Sequence, residues 1–460
     1  MAHGRAKPEP LMTDPIASPA PLAAHGADPL TGRFAVPGDV SISHRALLLG
    51  ALTVGRTSIE GLGETEEVMA TAAALRQLGV RIDSHDGAWH VHGLGVMGLL
   101  EPAGPLNFGI SSTGAQLALG LLAPYDFAAR IVGDATLARR PIRPLLKALE
   151  TIGADVTDAD DGRIPLTWRG TALSAPIRMT MATAAEEIKS ALLLAAVQIS
   201  GISTIHEPMA TRDHTEKLLA AFGADITVIP DEVGGATIRL VGLPELQPRH
   251  LVVPGDPTAA GYAIVAALIV PGSDLIIEKV LVNPFRTGLI DTLLEMGGDI
   301  QFLNQREIAG EHVADLRVRS SRMKGVRVDA VHAAAMLDDI PVLAIAAAFA
   351  QGETLIEGLA DMRAQGGDRL ATIAAGLAAN KVTVAEGSDS LSVTGNGRVD
   401  GGGTVVTRGD HAVAMSFLVI GLASKNTVIV DDASGVAAAF PDFQAAMTAI
   451  GGRFPPVKGR

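Results

Sequence analysis

Two runs, VPGDVSISHR at Val36–Arg45 and VPGDPTAAGY at Val253–Tyr262, share four opening residues and the same order of chemical roles. Pro and Gly break a strand end, Asp or a following Ser/Thr can cap a helix, and an apolar helical pattern follows. The first turn of such a helix presents free N–H groups that attract an anion. The chain carries 50 Asp and Glu against 37 Lys and Arg, a formal net charge of −13, so an anionic ligand must be held by local arginines rather than by a basic surface. It has no cysteine, which excludes disulfides, thiolate metal sites and thiol nucleophiles. Two further runs are polar in a similar way. GISSTGAQL at 109–117 is as readily a structural loop as a binding one. In TRDHTEK at 211–217, Asp213 or Thr215 can cap a helix, and His214 reads as a structural hydrogen-bonder rather than a catalyst.

These residues need elements to position them. At 460 residues and 48% apolar content, two or more domains with sizeable cores are expected. Aromatics make up only 3% of the chain, which with the acidic balance argues against nucleic acid as a partner. Apolar runs such as Leu343–Ala350 are too short to span a bilayer, so no transmembrane segment is expected, and the lack of cysteine fits a reducing cytoplasm. Residues 1–30, rich in Ala, Pro and Gly without periodicity, read as a disordered tail that is not a targeting signal. From residue 31 a helix that ends in a Gly-type cap and runs into a strand recurs six times. The runs begin at Leu75, Leu149, Leu219, Leu293, Leu377 and Met447. Their spacing, roughly 70 to 85 residues, is far longer than that of solenoid repeats and implies small α/β units. Three lie between the VPGD runs and three after, so two domains of three units each are expected. Domain II would be 38–254, domain I would be 31–37 plus 255–460, and the chain would cross near residues 37 and 255.

In order along residues 31–455, the runs VPGDVSISHR, GDATLARRP, MATRDHTEKLL, VPGDPTAAG, DDIPVLAIAAAFA, GDRL, GDHAVAMSFLV and FPDF resemble the 5-enolpyruvylshikimate-3-phosphate (EPSP) synthase family, class II. A related family acting on a UDP-sugar relies on a cysteine and lacks TRDHTEK. The resemblance implies an α/β fold, a two-domain inverse α/β barrel of six βαβαββ units. It implies transfer of enolpyruvyl from phosphoenolpyruvate to shikimate 3-phosphate, with no metal or organic cofactor and a monomeric chain. Two phosphates and two carboxylates in one cleft call for Arg and Lys forks.

Position by position, the resemblance makes Ser41, Arg45, Thr113, Arg140, Arg212 and Arg369 substrate-binding residues, and Asp338 the base that accepts the 5-hydroxyl proton, with Asp339 as the neighbouring alternative. It also exposes departures. Val40, Gln365 and Ala412 stand where the family has cations, and Gly366 where it has an acid. Ile110 and Gln116 replace an Asn and an Arg, and Ser112 occupies the small-residue position that governs glyphosate access. Ala185, Glu186 and Glu187 replace Ser-Ala-Gln. A carboxylate at Glu187 facing a phosphate would be repelled by about 4 kcal/mol for unit charges about 4 Å apart at an effective dielectric near 20. Losing three charge-assisted hydrogen bonds suggests about 5 to 9 kcal/mol. The expectation is therefore a family member of very weak or lost ordinary activity, insensitive to glyphosate. The alternatives are an active 3-phosphoshikimate 1-carboxyvinyltransferase with substitute charges from Arg363, Arg139 or another chain, and a non-catalytic binding or regulatory homologue.

Overall fold

The computed structural model describes residues 19–457 with the exception of 158, 160 and 365–367. Six tight turns set its architecture. Val80, Ala154, Ala224, Gly298, Val382 and Gly452 donate their backbone N–H groups to the carbonyls of Leu75, Leu149, Leu219, Leu293, Leu377 and Met447, in that order, at 2.8–3.4 Å. This is the bond that closes a Schellman helix end. It requires a left-handed residue just before the donor. Gly79, Gly153, Gly223, Gly297 and Gly451 meet that requirement at φ 91–114°, and Lys381 at 64°. The six acceptor residues are all buried, so each helix end is also pinned by its side chain.

Each turn feeds one small sheet, and the six sheets share a plan. In one of them Leu106–Asn107 lies parallel to Ala128–Val132, which is antiparallel to Leu166–Arg169, itself antiparallel to Asp155–Thr157. Two sheets borrow their parallel edge strand from a distant part of the chain. His250–Val252 pairs with Val54–Glu60, and Thr31–Ala35 pairs with Asp274–Leu281. The sixth sheet joins Thr404–Val405, Val428–Val430 and Leu22–Ala24. That last strand corrects part of the sequence expectation. Residues 1–18 lie outside the described residues, but Leu22–Ala24 is a paired strand rather than disordered tail. Ala23, Ala24 and Leu30 are buried, and three residues are too few to show a strand period in sequence.

Six inner helices pass beneath the sheets: α1 (Val40–Ala51), α2 (Ser112–Leu122), α3 (Glu186–Ala196), α4 (Pro257–Ile269), α5 (Ile340–Phe349) and α6 (His411–Ala423). Apart from their first turns they are apolar nearly all round, because each is enclosed by a sheet and its sister helices. Helices α1–α3 pack into one hydrophobic core and α4–α6 into a second. Among the described residues no helix is long and apolar enough to cross a membrane.

The two VPGD runs pair with each other. Asp39 donates its N–H to the Pro254 carbonyl at 2.8 Å and Asp256 donates to the Pro37 carbonyl at 2.9 Å, flanking a Gly38–Gly255 bridge. A second link lies beside them. His214 Nδ1 is 2.7 Å from Glu311 Oε1, Lys217 Nζ is 3.2 Å from Glu311 Oε2, and Asn283 donates to both Asp213 (2.7 Å) and Glu311 (2.9 Å). Asp213, His214 and Glu311 present ligand atoms within 4.8 Å of one another. Lys217 and Asn283 nevertheless satisfy both carboxylates, so the group is a polar clasp. Asp213 therefore makes no side-chain cap to the helix His214–Ala221.

Two outcomes follow from these contacts. A Cβ on Gly38 would meet the Gly61 carbonyl at 1.9 Å, whereas one on Gly26 meets only ordinary contact at 3.4 Å. Gly38→Ala should destabilise by about 1–3 kcal/mol in chemical denaturation and Gly26→Ala should be near neutral. Burial pushes the Glu311 carboxyl up, but its hydrogen bond to His214, with His214 and Lys217 charge, holds it down at about 2. Its stabilisation is present above the ordinary carboxyl pKa near 4.5 and is lost as pH falls toward 2. The stability gap between wild type and Glu311→Gln should hold from pH 7 to 5 and shrink below pH 4.5, read by denaturation at each pH.

Candidate active site

A cleft of about 320 Å³ takes its lining from both cores. Val40 and Ser41 enter from α1, Ser112 and Thr113 from α2, Glu186 and Glu187 from α3, Thr258 and Tyr262 from α4, and His411 and Ala412 from α6. Asp338 comes from the turn just ahead of α5. Six helix N-termini thus surround one space. Each carries a partial positive charge from its unbonded N–H groups, so the backbone alone makes this cleft attractive to anions. The caps are Asp39, Ser111, Asp256 and Asp410 for α1, α2, α4 and α6. Helix α3 starts at Ala185 with no side-chain cap, since a methyl has nothing to accept with.

Most of the residues singled out in sequence meet here. Ser41, Thr113, Arg140, Arg212, Asp338 and Arg369 line the cleft, as do the substituted positions Val40, Ser112, Glu186, Glu187 and Ala412. Gln365 and Gly366 lie outside the described residues. The two neighbouring aspartates separate clearly. The Asp338 side chain is 72% exposed to the cleft, whereas Asp339 is buried, and burial pushes its carboxyl up to about 6 against the opposing charge of Arg286. Arg363 does not supply a substitute charge. It is bound to Asp368 (2.9 Å), Glu386 (2.6 Å) and the Ser388 carbonyl (2.7 Å), away from the lining. Arg139 is exposed and also absent from the lining.

Arg45, expected from sequence at the ligand, is not among the lining residues. Its side chain is fully buried behind the lining and committed to the protein. Nε donates to Thr215 (2.7 Å), NH1 to the Ser41 carbonyl (2.9 Å), and NH2 to Ser190 (2.9 Å) and to the Glu186 carboxylate. Glu186, from the first turn of α3, has become its counter-charge. Burial pushes the Glu186 carboxyl up, but Arg45, followed by Arg212 and His214, outweighs this and holds it below the ordinary range. Next to it, burial and then the charge of Glu186 push Glu187 up.

Among the lining residues that sequence reasoning missed are Glu67, Thr258, Tyr262 and Arg286. Thr258 and Tyr262 lie within the second VPGD run, which was read for its caps. Arg286 had no local signal, because its partners are Asp39 (3.3 Å) and Asp256 (3.1 Å), far away in the chain. Glu67 lies in the first turn of the helix Glu66–Gln77, where acids are ordinary. Burial pushes its carboxyl up against the pull of Arg140.

Two cores of three βαβαββ units each, with six inner helices aimed at one cleft, define the two-domain inverse α/β barrel of the enolpyruvyl transferases. The chain belongs to the EPSP synthase (3-phosphoshikimate 1-carboxyvinyltransferase) family, whose model matches residues 24–447. It is 50% identical over 435 residues to the 3-phosphoshikimate 1-carboxyvinyltransferase of Parvibaculum lavamentivorans, covering 94% of this chain and 96% of that one. Against the protein of the same name from Methylorubrum extorquens it is 49% identical over 440 residues, covering 95% and 97%. The EPSP synthase structure from Acinetobacter baumannii superposes with a TM-score of 0.85 at 33% identity, covering 95% of this chain and all of that one.

The Arg45–Glu186 pair should also be visible in stability. Removing one member of a buried ion pair strands the other, at about 3–5 kcal/mol. Glu186→Ala should therefore lower the denaturation midpoint strongly, while Glu187→Ala, which strands no buried charge, should not.

Proposed function

We propose that this chain keeps the ring-binding half of its family's site, for a phosphorylated or carboxylated ring, and performs enolpyruvyl transfer from phosphoenolpyruvate only very weakly. One observation carries the reading: few of the cleft's cations are free. Arg286 is engaged by Asp39 and Asp256, and Arg369 by Asp410 at 2.6 Å with Asp338 at 3.8 Å. Among the described residues only Arg140 and Arg212 line the cleft as cations without a hydrogen bond or ion pair to the protein, and Glu67, Glu186 and Glu187 share the lining with them. Val40 and Ala412 stand at the lining with no charge to offer. An anion entering such a cleft loses its hydration and finds too few donors in return. Glyphosate, an anion that shares the phosphoenolpyruvate site in this family, is expected to bind no better.

The two cores support a division into domains 31–37 plus 255–460 and 38–254 that close about the paired VPGD runs. A monomer as the working unit goes with the same reading. A cytoplasmic biosynthetic role, without metal or organic cofactor, goes with the family. Within the site, Asp338 is the group available to accept a hydroxyl proton, because it is exposed and within 3.8 Å of the Arg369 guanidinium. A second reading, an ordinary transferase, is favoured by identity near 50% over nearly the whole chain to proteins named for that activity.

Phosphate release with both substrates at millimolar concentration separates the two. The expected turnover lies at least about 10³-fold below the order of 10 per second common among enzymes. Turnover within about tenfold of that figure establishes the second reading instead. Val40→Lys, Gln365→Lys, Gly366→Glu and Ala412→Arg together should raise activity by orders of magnitude. If they do nothing while the ring still binds, Ala185 and Glu187 or failed closure account for the loss.

A further inference from the structure

The Arg45–Glu186 network has a consequence for what the ring can carry. Arg45 is buried behind the cleft lining, and its donors are shared among Thr215, Ser41, Ser190 and Glu186. The network is closed on itself. Thr215 Oγ1 donates to Ser190 Oγ at 2.8 Å, and Ser190 Oγ donates to Glu186 Oε1 at 3.1 Å. The Glu186 carboxylate therefore sits where three attractions converge: the Arg45 guanidinium, a serine hydroxyl and the N-terminus of α3. That combination is what a bound oxyanion requires. Here the chain supplies the oxyanion itself.

We propose that Glu186 is a built-in replacement for a ligand phosphate, so that the ring this cleft accepts is a polyhydroxylated carboxylate with a free hydroxyl at that end. The inference rests on the ring-binding reading above and narrows it. A phosphate dianion needs more than one cation within hydrogen-bond distance to offset its desolvation. Among the described residues that line the cleft, Arg212 is the uncommitted cation that acts on Glu186, and a phosphate beside it would face the Glu186 charge and, one residue on, Glu187. A hydroxyl has the opposite preference. It can donate to a carboxylate oxygen of Glu186 or Glu187 and accept from Arg212 or Ser41, all of which line the cleft. Arg140 remains for the ring's own carboxylate, which needs no second anion-binding end.

Calorimetry on the full chain with shikimate and with shikimate 3-phosphate tests this. The free alcohol is expected to bind at least as tightly as the phosphate ester. Glu187→Gln, which leaves the Arg45 network intact, and the double variant Glu186→Gln with Glu187→Gln should each strengthen ester binding and, because an amide oxygen accepts the ring hydroxyl more weakly than a carboxylate, should not strengthen alcohol binding. The double variant should gain at least about tenfold. If the double variant fails to fold, the wild-type ligand pair and Glu187→Gln still decide. Inorganic phosphate should leave the melting temperature of wild type unchanged and raise that of Glu186→Gln, by filling the vacated counter-charge. Tighter binding of the ester by wild type overturns the inference and leaves the ring-binding reading standing. Binding of neither compound overturns both.

Discussion

One guanidinium, Arg286, joins the two paired VPGD runs. Its NH1 lies 3.3 Å from Asp39 and its NH2 3.1 Å from Asp256, and those two aspartates cap α1 and α4, the first inner helix of each core. Asp256 also accepts from the Val40 N–H at 3.3 Å, so the second VPGD run is tied to the first run's helix as well. Burial pushes both carboxyls up. Arg286, with smaller help from His214, pulls Asp39 below the ordinary range, while Asp256, repelled by Asp39, stays raised. One arginine between two buried carboxyls offsets part of the cost of burying them. Because the caps fix where α1 and α4 begin, the same contact fixes where both cores point their helix ends.

From that constraint follows the electrostatic character of the cleft. Six helix N-termini surrounding one space is a backbone property, unaffected by which side chains occupy the first turns. The side chains then tune it. In α3 the first turn carries Glu186 and Glu187 and draws its positive end into the protein, through Arg45 and Ser190. In α6 the first turn carries Ala412, which leaves only its N–H, and that is taken by the capping Asp410 at 2.9 Å. The helix ends favour an anion, while the first turns of α3 and α6 bring carboxylates at Glu186 and Glu187 and a methyl at Ala412 to the same lining. Substitutions of this kind spare the fold, because first-turn residues at the cleft carry little of the apolar packing that holds the two cores together.

Much of the architecture was legible in the sequence because it rests on local rules repeated six times. A buried Leu or Met, a left-handed residue and a strand start must fall within a few positions of one another, and the same Schellman bond forms wherever they do. Even Lys381, with no glycine at its turn, kept the spacing. The paired VPGD runs were likewise visible as strand end, cap and helix start. The strand Leu22–Ala24 was not, because three residues have no period and its pairing is to Val428–Val430, at the other end of the chain.

For the site, the sequence by itself determined which residues stand at the first turns of the inner helices, and therefore which of them lack the charge expected there. Only the tertiary structure decided what those residues do. Arg45 and Glu186 are 141 positions apart, and nothing local says that one neutralises the other. Asp338 and Asp339 are adjacent and chemically identical in sequence, yet one is exposed to the cleft and the other is buried beneath it. Arg286 looks like any turn arginine until Asp39 and Asp256 are brought to either side of it. Local capping and periodicity act over a few residues and can be read along the chain, whereas the state of a charge depends on partners and on water, and both are set only when the two cores meet.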